Sequence, residues 1–255
     1  MSAGGRALLY LWDAYTAQVE TVVAEAEGDR AALRETPFYP GGGGQPADRG
    51  WVRWADGEAA VTGHQRDSAR VWHQLDAPSP AAGTRVTAAL DWPQRYAIMR
   101  HHSAMHVLSG VVYHLFAAMV TGGQIYPDRA RMDFALEDLN PERVAAIERE
   151  ANRIIGEGRP ISVRVVSREE FEAHDLVRTA KNLVLAELTT IRVVEIEGFD
   201  AQADGGTHVR NTREIGALRV IKTENKGKIN RRLEVALAPV DAADAEAVKE
   251  GDHGS

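Results

Sequence analysis

The stretch DWPQRYAIMRHHSAMHVLSGVVYHLF, residues 91–116, predicts a long helix that separates two differently patterned parts of the chain. Asp91 is a favourable N-cap, and Trp92 and Pro93 then occupy the first two helical positions. The backbone N–H groups there have no partner within the helix, so a proline, which lacks this group, costs no hydrogen bond. Through the rest of the stretch, apolar residues recur at helical spacing: Ile98, Val107, Leu108, Val111 and Val112.

The residues before this helix alternate apolar and polar side chains in short runs, which is typical of half-buried strands. The segments 18–36 (QVETVVAEAEGDRAALRET) and 50–65 (GWVRWADGEAAVTGHQ) each alternate around a turn made of glycine and aspartate. Further strands are predicted in 69–76 and 84–90. Short strands at this spacing predict a small β-barrel-like domain over residues 1–90.

The residues after this helix predict a mixture of helices and antiparallel strands. Asn140 as N-cap, Pro141 at the first helical position and Gly156 beyond the end bound a second helix. The whole chain is therefore α+β, with a second domain over 91–243 and a tail, 244–255, that we expect to be frayed. Strands of the second domain are predicted in ISVRVVS (161–167), IRVVEIEGF (191–199), GALRVIKT (216–223) and RRLEVAL (231–237).

The amino-acid composition and net charge exclude several classes of protein. The 255 residues are 44% hydrophobic and 26% charged, as in a globular protein that buries a core. Since no apolar run reaches about 18 residues, we expect no membrane partner. Asp13 interrupts the short apolar patch near the N-terminus and no cleavage-site pattern is present, so we expect no signal peptide. The chain has no cysteine, which excludes disulfides and thiolate metal sites and predicts a cytoplasmic location. A net charge of −7 argues against a protein whose whole surface binds nucleic acid, because phosphate binding needs clustered cations.

Two pairs of candidate metal ligands share a four-residue spacing. His102 and His106 lie one turn apart on the predicted helix, so both imidazoles project from one face. Asp204 and His208 repeat the spacing within ADGGTHVRNTREIG, where the alternative is a tight turn between strands. Three imidazoles and a carboxylate form a donor set that suits zinc.

Two familiar motifs are excluded by neighbouring residues. Ser103 follows His102, whereas a zinc protease of the H-E-x-x-H type needs a glutamate there as general base. The segment YPGGGGQP (39–46) lacks the Gly-Lys-Ser/Thr ending of a phosphate-binding loop. Its four adjacent glycines by themselves are typical of a flexible turn.

Basic residues cluster in KTENKGKINRR, residues 222–232, between two predicted strands. This segment can be a solvated hairpin tip, or it can contact the phosphates of a nucleic acid. The cluster consists of Lys222, Lys226, Lys228, Arg231 and Arg232.

Four stretches resemble the editing domain of alanyl-tRNA synthetase and, more closely, the free-standing alanyl-tRNA editing proteins of AlaX type that carry an extra N-terminal domain. They occur in the family's order and run from the first domain to near the end of the chain. The resemblance implies a β-barrel-like first domain and an α/β editing domain. The stretches are TPFYPGGGGQPADRG (36–50), RHHSAMHVLSG (100–110), TGGQIYPDRARMDF (121–134) and FDAQADGGTHVRNTREIG (199–216).

The resemblance implies an ATP-independent hydrolase that protects translation fidelity by deacylating mischarged tRNA for alanine. The seryl ester would be its main substrate and the glycyl ester a further one. The matched zinc ligands, which form the catalytic centre, are His102, His106 and His208. The fourth ligand in the family pattern is usually a cysteine, whereas this chain has Asp204. Asp204 can bind zinc directly, which the matching spacing favours, or it can orient a histidine or a water from outside the shell.

Further substrate contacts follow from the same resemblance. Thr121 is the candidate for a hydrogen bond to the serine hydroxyl, although a turn threonine before two glycines is the structural alternative. The glycine loop would approach the terminal adenosine or the amino-acid pocket, with Gln45 as the side chain that reaches the site. Thr207 can contact substrate or bond only to backbone, and the basic segment would contact the acceptor stem of tRNA(Ala). The loop glycines concerned are Gly42, Gly43 and Gly44.

Two other functions remain as alternatives at the level of sequence. One is a tRNA-binding protein that has lost hydrolysis, with Asp204 marking the loss. The retention of all three histidines argues against it. The other is a hydrolase on the same scaffold that acts on another aminoacyl ester. The sequence sets no oligomeric state.

Overall fold

The structure is a computed structural model, and it describes residues 7–67, 70–182 and 184–239. The chain forms two compact units, whose described parts are residues 7–97 and 98–239. The predicted tail, 244–255, lies outside the described residues. The predicted domain ranges, 1–90 and 91–243, stay a prediction.

The first unit contains six antiparallel strands: β1 (Gln18–Glu27), β2 (Arg30–Leu33), β3 (Gly50–Trp54), β4 (Gly57–Arg66), β5 (Val71–Leu75) and β6 (Arg85–Leu90). They form a closed barrel with the strand order β1-β2-β5-β4-β3-β6. Alternate side chains of these strands point into the barrel and bury a core of aliphatic residues around Phe38. This confirms the β-barrel-like first part that the sequence predicts.

The second unit combines helices with two antiparallel sheets, which confirms the α+β class. The helices are α1 (Trp92–Phe116), which begins among residues of the first unit, α2 (Pro141–Glu157) and α3 (Arg168–Ala173). The strands are β7 (Val120–Ile125), β8 (Ala130–Phe134), β9 (Ile161–Ser167), β10 (Thr190–Ile196), β11 (Asp200–Ala203), β12 (Leu218–Gly227) and β13 (Asn230–Leu237). One sheet has the order β11-β10-β9 and the other the order β12-β13-β8-β7.

The helix α1 has the N-terminus that the sequence predicts. The N–H of Gln94 donates to Oδ1 of Asp91 at 3.3 Å, as expected for an N-cap. Farther along, Gly110 lets the helix approach the β10–β11 turn, because a Cβ there would lie 2.8 Å from the ring of Phe199. No helix in the described parts of the chain is long and apolar enough to cross a membrane.

The helix α2 starts as predicted but ends later. The carboxamide of Asn140 accepts the N–H of Arg143 at 2.9 Å. The prediction that Gly156 lies beyond the helix is wrong, because the helix continues through it to Glu157. The left-handed residue that ends the helix is Gly158, with φ 71°. Gly156 only weakens helix propensity, whereas Gly158 adopts the conformation that stops the helix.

Candidate metal centre

Four side chains converge between the helix α1 and the loop that follows β11. His102 and His106 project from one face of α1, and the loop supplies Asp204 and His208. One ligand atom from each of the four residues lies within 4.8 Å of the others. The histidines are 5–7% exposed, whereas the Asp204 side chain is 24% exposed, so solvent reaches the group at the carboxylate. The tertiary structure thus brings together the two pairs that the sequence singles out.

The Nε2 atoms of all three histidines face the Asp204 carboxylate. The Oδ2 atom lies 3.5 Å from Nε2 of His102 and 3.9 Å from Nε2 of His106, and Oδ1 lies 3.0 Å from Nε2 of His208. Ligands held about 2.0–2.1 Å from a tetrahedral zinc ion are themselves roughly 3.3 Å apart. Since the observed separations bracket that value, the donor set fits such an ion with small side-chain adjustments.

A turn of the backbone fixes the position of the carboxylate. Oδ1 of Asp204 accepts the N–H of Gly206 at 2.6 Å, which is an aspartate turn of the kind that starts loops. Behind it, Arg192 on β10 donates from Nη1 to the backbone oxygen of Asp204 at 2.8 Å. The N–H of Asp204 in turn donates to the backbone oxygen of Arg192 at 3.2 Å. The loop therefore holds the carboxylate of Asp204, and the neighbouring strand holds its backbone.

Burial and charge set the protonation of the four groups. Burial lowers the pKa of His102 to about 4, although the Asp204 charge partly opposes it. Burial lowers the pKa of His208 well below its usual value, and the neighbouring His102 and His106 lower it further. Burial alone would raise the pKa of the Asp204 carboxyl, but the facing imidazoles of His102 and His106 and a hydrogen bond from His208 hold it well below its usual value. Near neutral pH, His102 and His208 are neutral and Asp204 is charged, which are the forms that bind a metal.

Family profiles match both parts of the chain. Residues 191–234, which contain Asp204 and His208, match the second additional domain of threonyl- and alanyl-tRNA synthetases. Residues 11–94 match the class II (A) tRNA synthetases.

Similarity to single proteins extends over nearly the whole chain. An alanyl-tRNA editing protein AlaX-M from Methanosarcina barkeri is 38% identical over 238 residues, which are 90% of this chain and 98% of the relative. The chain belongs to the family of alanyl-tRNA editing proteins. Another AlaX-M protein of this family, from Saccharolobus solfataricus, is 36% identical over 234 residues, 91% of this chain and 98% of that protein. An alanine–tRNA ligase from Thermofilum pendens is 36% identical over 221 residues, which are 24% of the ligase.

The two threonines predicted to contact substrate have different environments. Thr207 lies one residue before His208 in this editing-family loop and is fully buried. Thr121 on β7 is exposed, and its hydroxyl donates to Oδ1 of Asn230 at 3.0 Å. Its neighbour Gly123 would place a Cβ 2.8 Å from the methyl group of Met105 on α1, so β7 packs closely against the helix that carries the histidines.

The glycine loop is a structured element of the first unit. Gly42 and Gln45 exchange two backbone hydrogen bonds of 3.0 and 2.9 Å, and Gln45 is 2% exposed. All glycines from 41 to 44 have positive φ, between 59° and 132°, which other residues rarely adopt. The buried guanidinium of Arg95 bonds the Asp48 carboxylate and the backbone oxygen of Pro37, and so ties the two ends of the loop together. The loop is therefore preorganised.

The basic segment forms the β12–β13 hairpin, and acidic groups neutralise part of its charge. Lys222 and Lys226 both pair with Glu224. Arg232 is held in a forked pair by Asp133 on β8, at 2.6 and 2.8 Å. The remaining two basic residues differ, since Lys228 is exposed and Arg231 donates to backbone oxygens, including that of residue 227 at 2.5 Å.

Three residues around the metal centre escape prediction from the sequence: Ser103, Arg192 and Gln202. In the sequence Ser103 only excludes the protease motif, whereas in the structure its hydroxyl lies 3.4 Å from the ring of His208. One pattern points to Gln202, because polar residues alternate in DAQAD, residues 200–204, and so share one face of a strand. The sequence contains no comparable pattern for Arg192, whose role depends on the pairing of β10 with β11.

Proposed function

We propose that this chain is a zinc-dependent aminoacyl-tRNA deacylase that acts in trans on mischarged tRNA(Ala). The seryl ester is the proposed main substrate and the glycyl ester a second one. The observation that carries the proposal is the convergence of three imidazoles and one carboxylate within 4.8 Å, in a chain of the editing family. The cytoplasmic location predicted from the composition is part of the same proposal.

The reaction is hydrolysis of the ester between the amino acid and the terminal ribose. The oxygen of water bonds to the carbonyl carbon, the bond from that carbon to the ribose oxygen breaks, and a proton from water goes to the ribose oxygen. When bound, a zinc ion supplies Lewis acidity to the carbonyl and to the attacking water. The residues of this chain hold that ion and position the ester beside it.

Asp204 is proposed as a direct ligand. Its Oδ1 is bonded to the N–H of Gly206, which leaves Oδ2 directed at His102 and His106. A carboxylate ligand is harder than the thiolate usual in the family, and zinc accepts both. The carboxylate keeps one negative charge in the shell beside three neutral imidazoles.

Selection against alanine needs a group that bonds the serine hydroxyl. A site that pairs a hydroxyl rejects a substrate lacking it, because its own polar group would be left unpaired. Thr121 remains the proposed contact, on a strand packed against the ligand helix at Gly123. In that role the hydroxyl of Thr121 would give up its hydrogen bond to Asn230 and bond the serine hydroxyl of the substrate instead.

The tRNA is proposed to contact two regions. The hairpin cations Lys222, Lys226, Lys228 and Arg231 would bind phosphates of the acceptor stem, without reading bases. Arg232 would contribute least, because its guanidinium is committed to Asp133. The preorganised loop of Gly42, Gly43, Gly44 and Gln45 is proposed to approach the terminal nucleotide through its backbone.

The deciding experiment measures deacylation of seryl-, glycyl- and alanyl-tRNA(Ala) by the purified chain, with bound metal quantified in the same sample. We expect loss of the seryl ester, survival of the alanyl ester and about one zinc ion per chain. His106→Ala should abolish metal binding and slow deacylation by more than about 100-fold, since even partners outside a metal shell contribute 10–100-fold. His174→Ala removes an exposed imidazole at the C-terminal end of α3 and serves as the control. A metal-free chain that binds tRNA(Ala) and leaves all three esters intact would contradict the proposal.

A further inference from the structure

A chain of hydrogen-bonded polar groups, all buried except the half-buried Gln202, lies behind the metal centre. Arg178 donates to Oδ1 of Asp200 at 2.6 Å, and the side chains of this ion pair are 7% and 1% exposed. Oδ2 of Asp200 accepts Nε2 of Gln202 at 2.7 Å. The same amide nitrogen lies 2.8 Å from Oγ of Ser109 and 3.3 Å from the backbone oxygen of His106. The chain thus begins at an ion pair and ends on the helical turn that carries a candidate metal ligand.

We propose that Gln202 is a positioning residue of the metal centre, held in place by the Asp200–Arg178 pair. Gln202 lies two residues before Asp204 on β11 and bonds the backbone of His106 on α1. Gln202 therefore connects β11, which leads to Asp204 and His208, to α1, which carries His102 and His106. This inference rests on the proposed function, because it assigns Gln202 a task only if the four residues hold a metal.

The orientation of the Gln202 amide follows from its partners. A carboxylate only accepts hydrogen bonds, so Asp200 requires the nitrogen end of the amide on its side. The amide oxygen lies 3.2 Å from Oγ of Ser109, whose single hydroxyl proton can go to this oxygen or to the backbone oxygen of His106 at 3.1 Å. The nitrogen end is committed to Asp200, because a rotated amide would place its oxygen against the carboxylate, with two acceptors facing each other. The ion pair thus fixes which groups Gln202 presents to α1.

The position of the ion pair is itself determined from two sides. The backbone oxygen of Arg178 accepts the N–H of Val120 at 2.7 Å, which connects the pair to the start of β7. On the other side, a Cβ at Gly110 would lie 3.1 Å from Oδ2 of Asp200, so the helix backbone closes over the carboxylate. A buried ion pair is costly unless its hydrogen bonds are complete, and this one uses Gln202 to complete them.

The test compares the zinc affinity of Gln202→Leu with that of Asn152→Leu in the full-length chain, by competition with a chelator. Asn152 is a matched control, because its half-buried amide also joins a helix to a strand through bonds to the backbone of Glu148 and Leu218. We expect zinc to bind Gln202→Leu about 10–100-fold more weakly, as for other groups that orient metal ligands. Asn152→Leu should lower the unfolding temperature and leave zinc affinity unchanged.

A second variant covers the case in which Gln202→Leu does not fold. Gln202→Glu keeps the shape of the side chain but replaces the donor facing Asp200 with a like charge, and should also weaken zinc binding. With seryl-tRNA(Ala), the folded variant should lose kcat and keep KM, because Gln202 touches the metal turn and not the substrate.

The outcomes separate this inference from the proposed function. If the unaltered chain binds no zinc, the proposed function fails. If it binds zinc and deacylates, but the Gln202 variants bind zinc with unchanged affinity, the positioning role is overturned. An equal loss of affinity in Asn152→Leu would also overturn it, since general destabilisation would then explain both variants.

Discussion

Oγ of Ser103 lies 3.4 Å from Nδ1 of His208, although the two residues are 105 positions apart in the sequence. Ser103, which directly follows the candidate ligand His102, thus contacts the ring of the candidate ligand His208. Ser103 is fully buried, and its hydroxyl oxygen also accepts the N–H of Val209 at 3.1 Å. With Nδ1 of His208 facing this hydroxyl, Nε2 is left facing Asp204. Partners of this kind fix the ring orientation and the tautomer of a metal-bound histidine.

Removing this hydroxyl should therefore weaken the metal centre. We expect Ser103→Ala to bind zinc about 10-fold more weakly or worse and to lose kcat by a similar factor. Chelator competition and single-turnover deacylation would measure the two effects. Ser162→Ala, an exposed site on β9, is the control. Unchanged zinc affinity in Ser103→Ala would show that α1 and the loop orient His208 without the serine.

Substitutions at Asp204 should show whether zinc binding depends on the negative charge of this side chain or only on its size. Asp204→Asn keeps the size of the side chain and removes its charge, so we expect zinc content and activity to fall sharply. Asp204→Cys supplies a thiolate, the ligand usual in the family, and should retain about one zinc per chain. Metal analysis of the purified variants, beside seryl-tRNA(Ala) hydrolysis, measures both. Full zinc occupancy in Asp204→Asn would place the carboxylate outside the metal shell.

Substitutions in the β12–β13 hairpin should have two different effects, one on tRNA binding and one on stability. Lys228→Ala should raise the KM for tRNA, and the slope of log affinity against log salt should decrease by about 1 for the lost phosphate contact. Arg232→Ala should instead lower stability, because it leaves the partly buried Asp133 without its forked partner. Salt titrations of tRNA binding and urea unfolding distinguish the two. An unaltered salt slope in Lys228→Ala would exclude that residue from the tRNA contact.

Two histidines in the barrel should make the protein sensitive to acid. Burial lowers the pKa of His73 to about 3, with the neighbouring His64 adding to the shift, and burial lowers the pKa of His64 to about 4. In the unfolded chain both pKa values return to about 6.5, so between pH 6.5 and 4 the unfolded state binds more protons. The stabilisation from these neutral rings is complete above pH 6.5. It falls as the pH is lowered, by up to about 1.4 kcal/mol per pH unit for each histidine.

His64→Phe isolates one of these contributions. Among the described residues, neither ring nitrogen of His64 has a hydrogen-bond partner, and the ring packs 5.5 Å from that of Phe38. Phenylalanine should fill the same space and carry no proton, so the free energy of unfolding should depend less on pH between 6.5 and 4. Urea unfolding at several pH values would measure the slope. Identical slopes in the variant and the unaltered chain would show that His64 does not contribute to acid sensitivity.

Local patterns were sufficient for much of the fold. Alternation located the six barrel strands, and caps located the starts of α1 and α2, because these depend on residues close in sequence. The strands β7 and β11 and the helix α3 were not predicted. In β7, Gly122 and Gly123 are typical of a turn, but pairing with β8 makes the segment a strand that includes Thr121. The other two elements have too few residues to show a period, and pairing with β10 or packing around Phe171 stabilises them.

The sequence by itself determined the class of fold and the two ligand pairs, His102 with His106 and Asp204 with His208. A four-residue spacing is a local property, and it survives in any structure that keeps the helix and the turn. Only the tertiary structure decided that the pairs meet, and that Ser103 and Gln202 support them. Those contacts join residues some hundred positions apart, and they depend on how closely α1 packs against the β10–β11 turn at Gly110. Close packing of this kind is set by the combined shapes of many side chains, which no short pattern encodes.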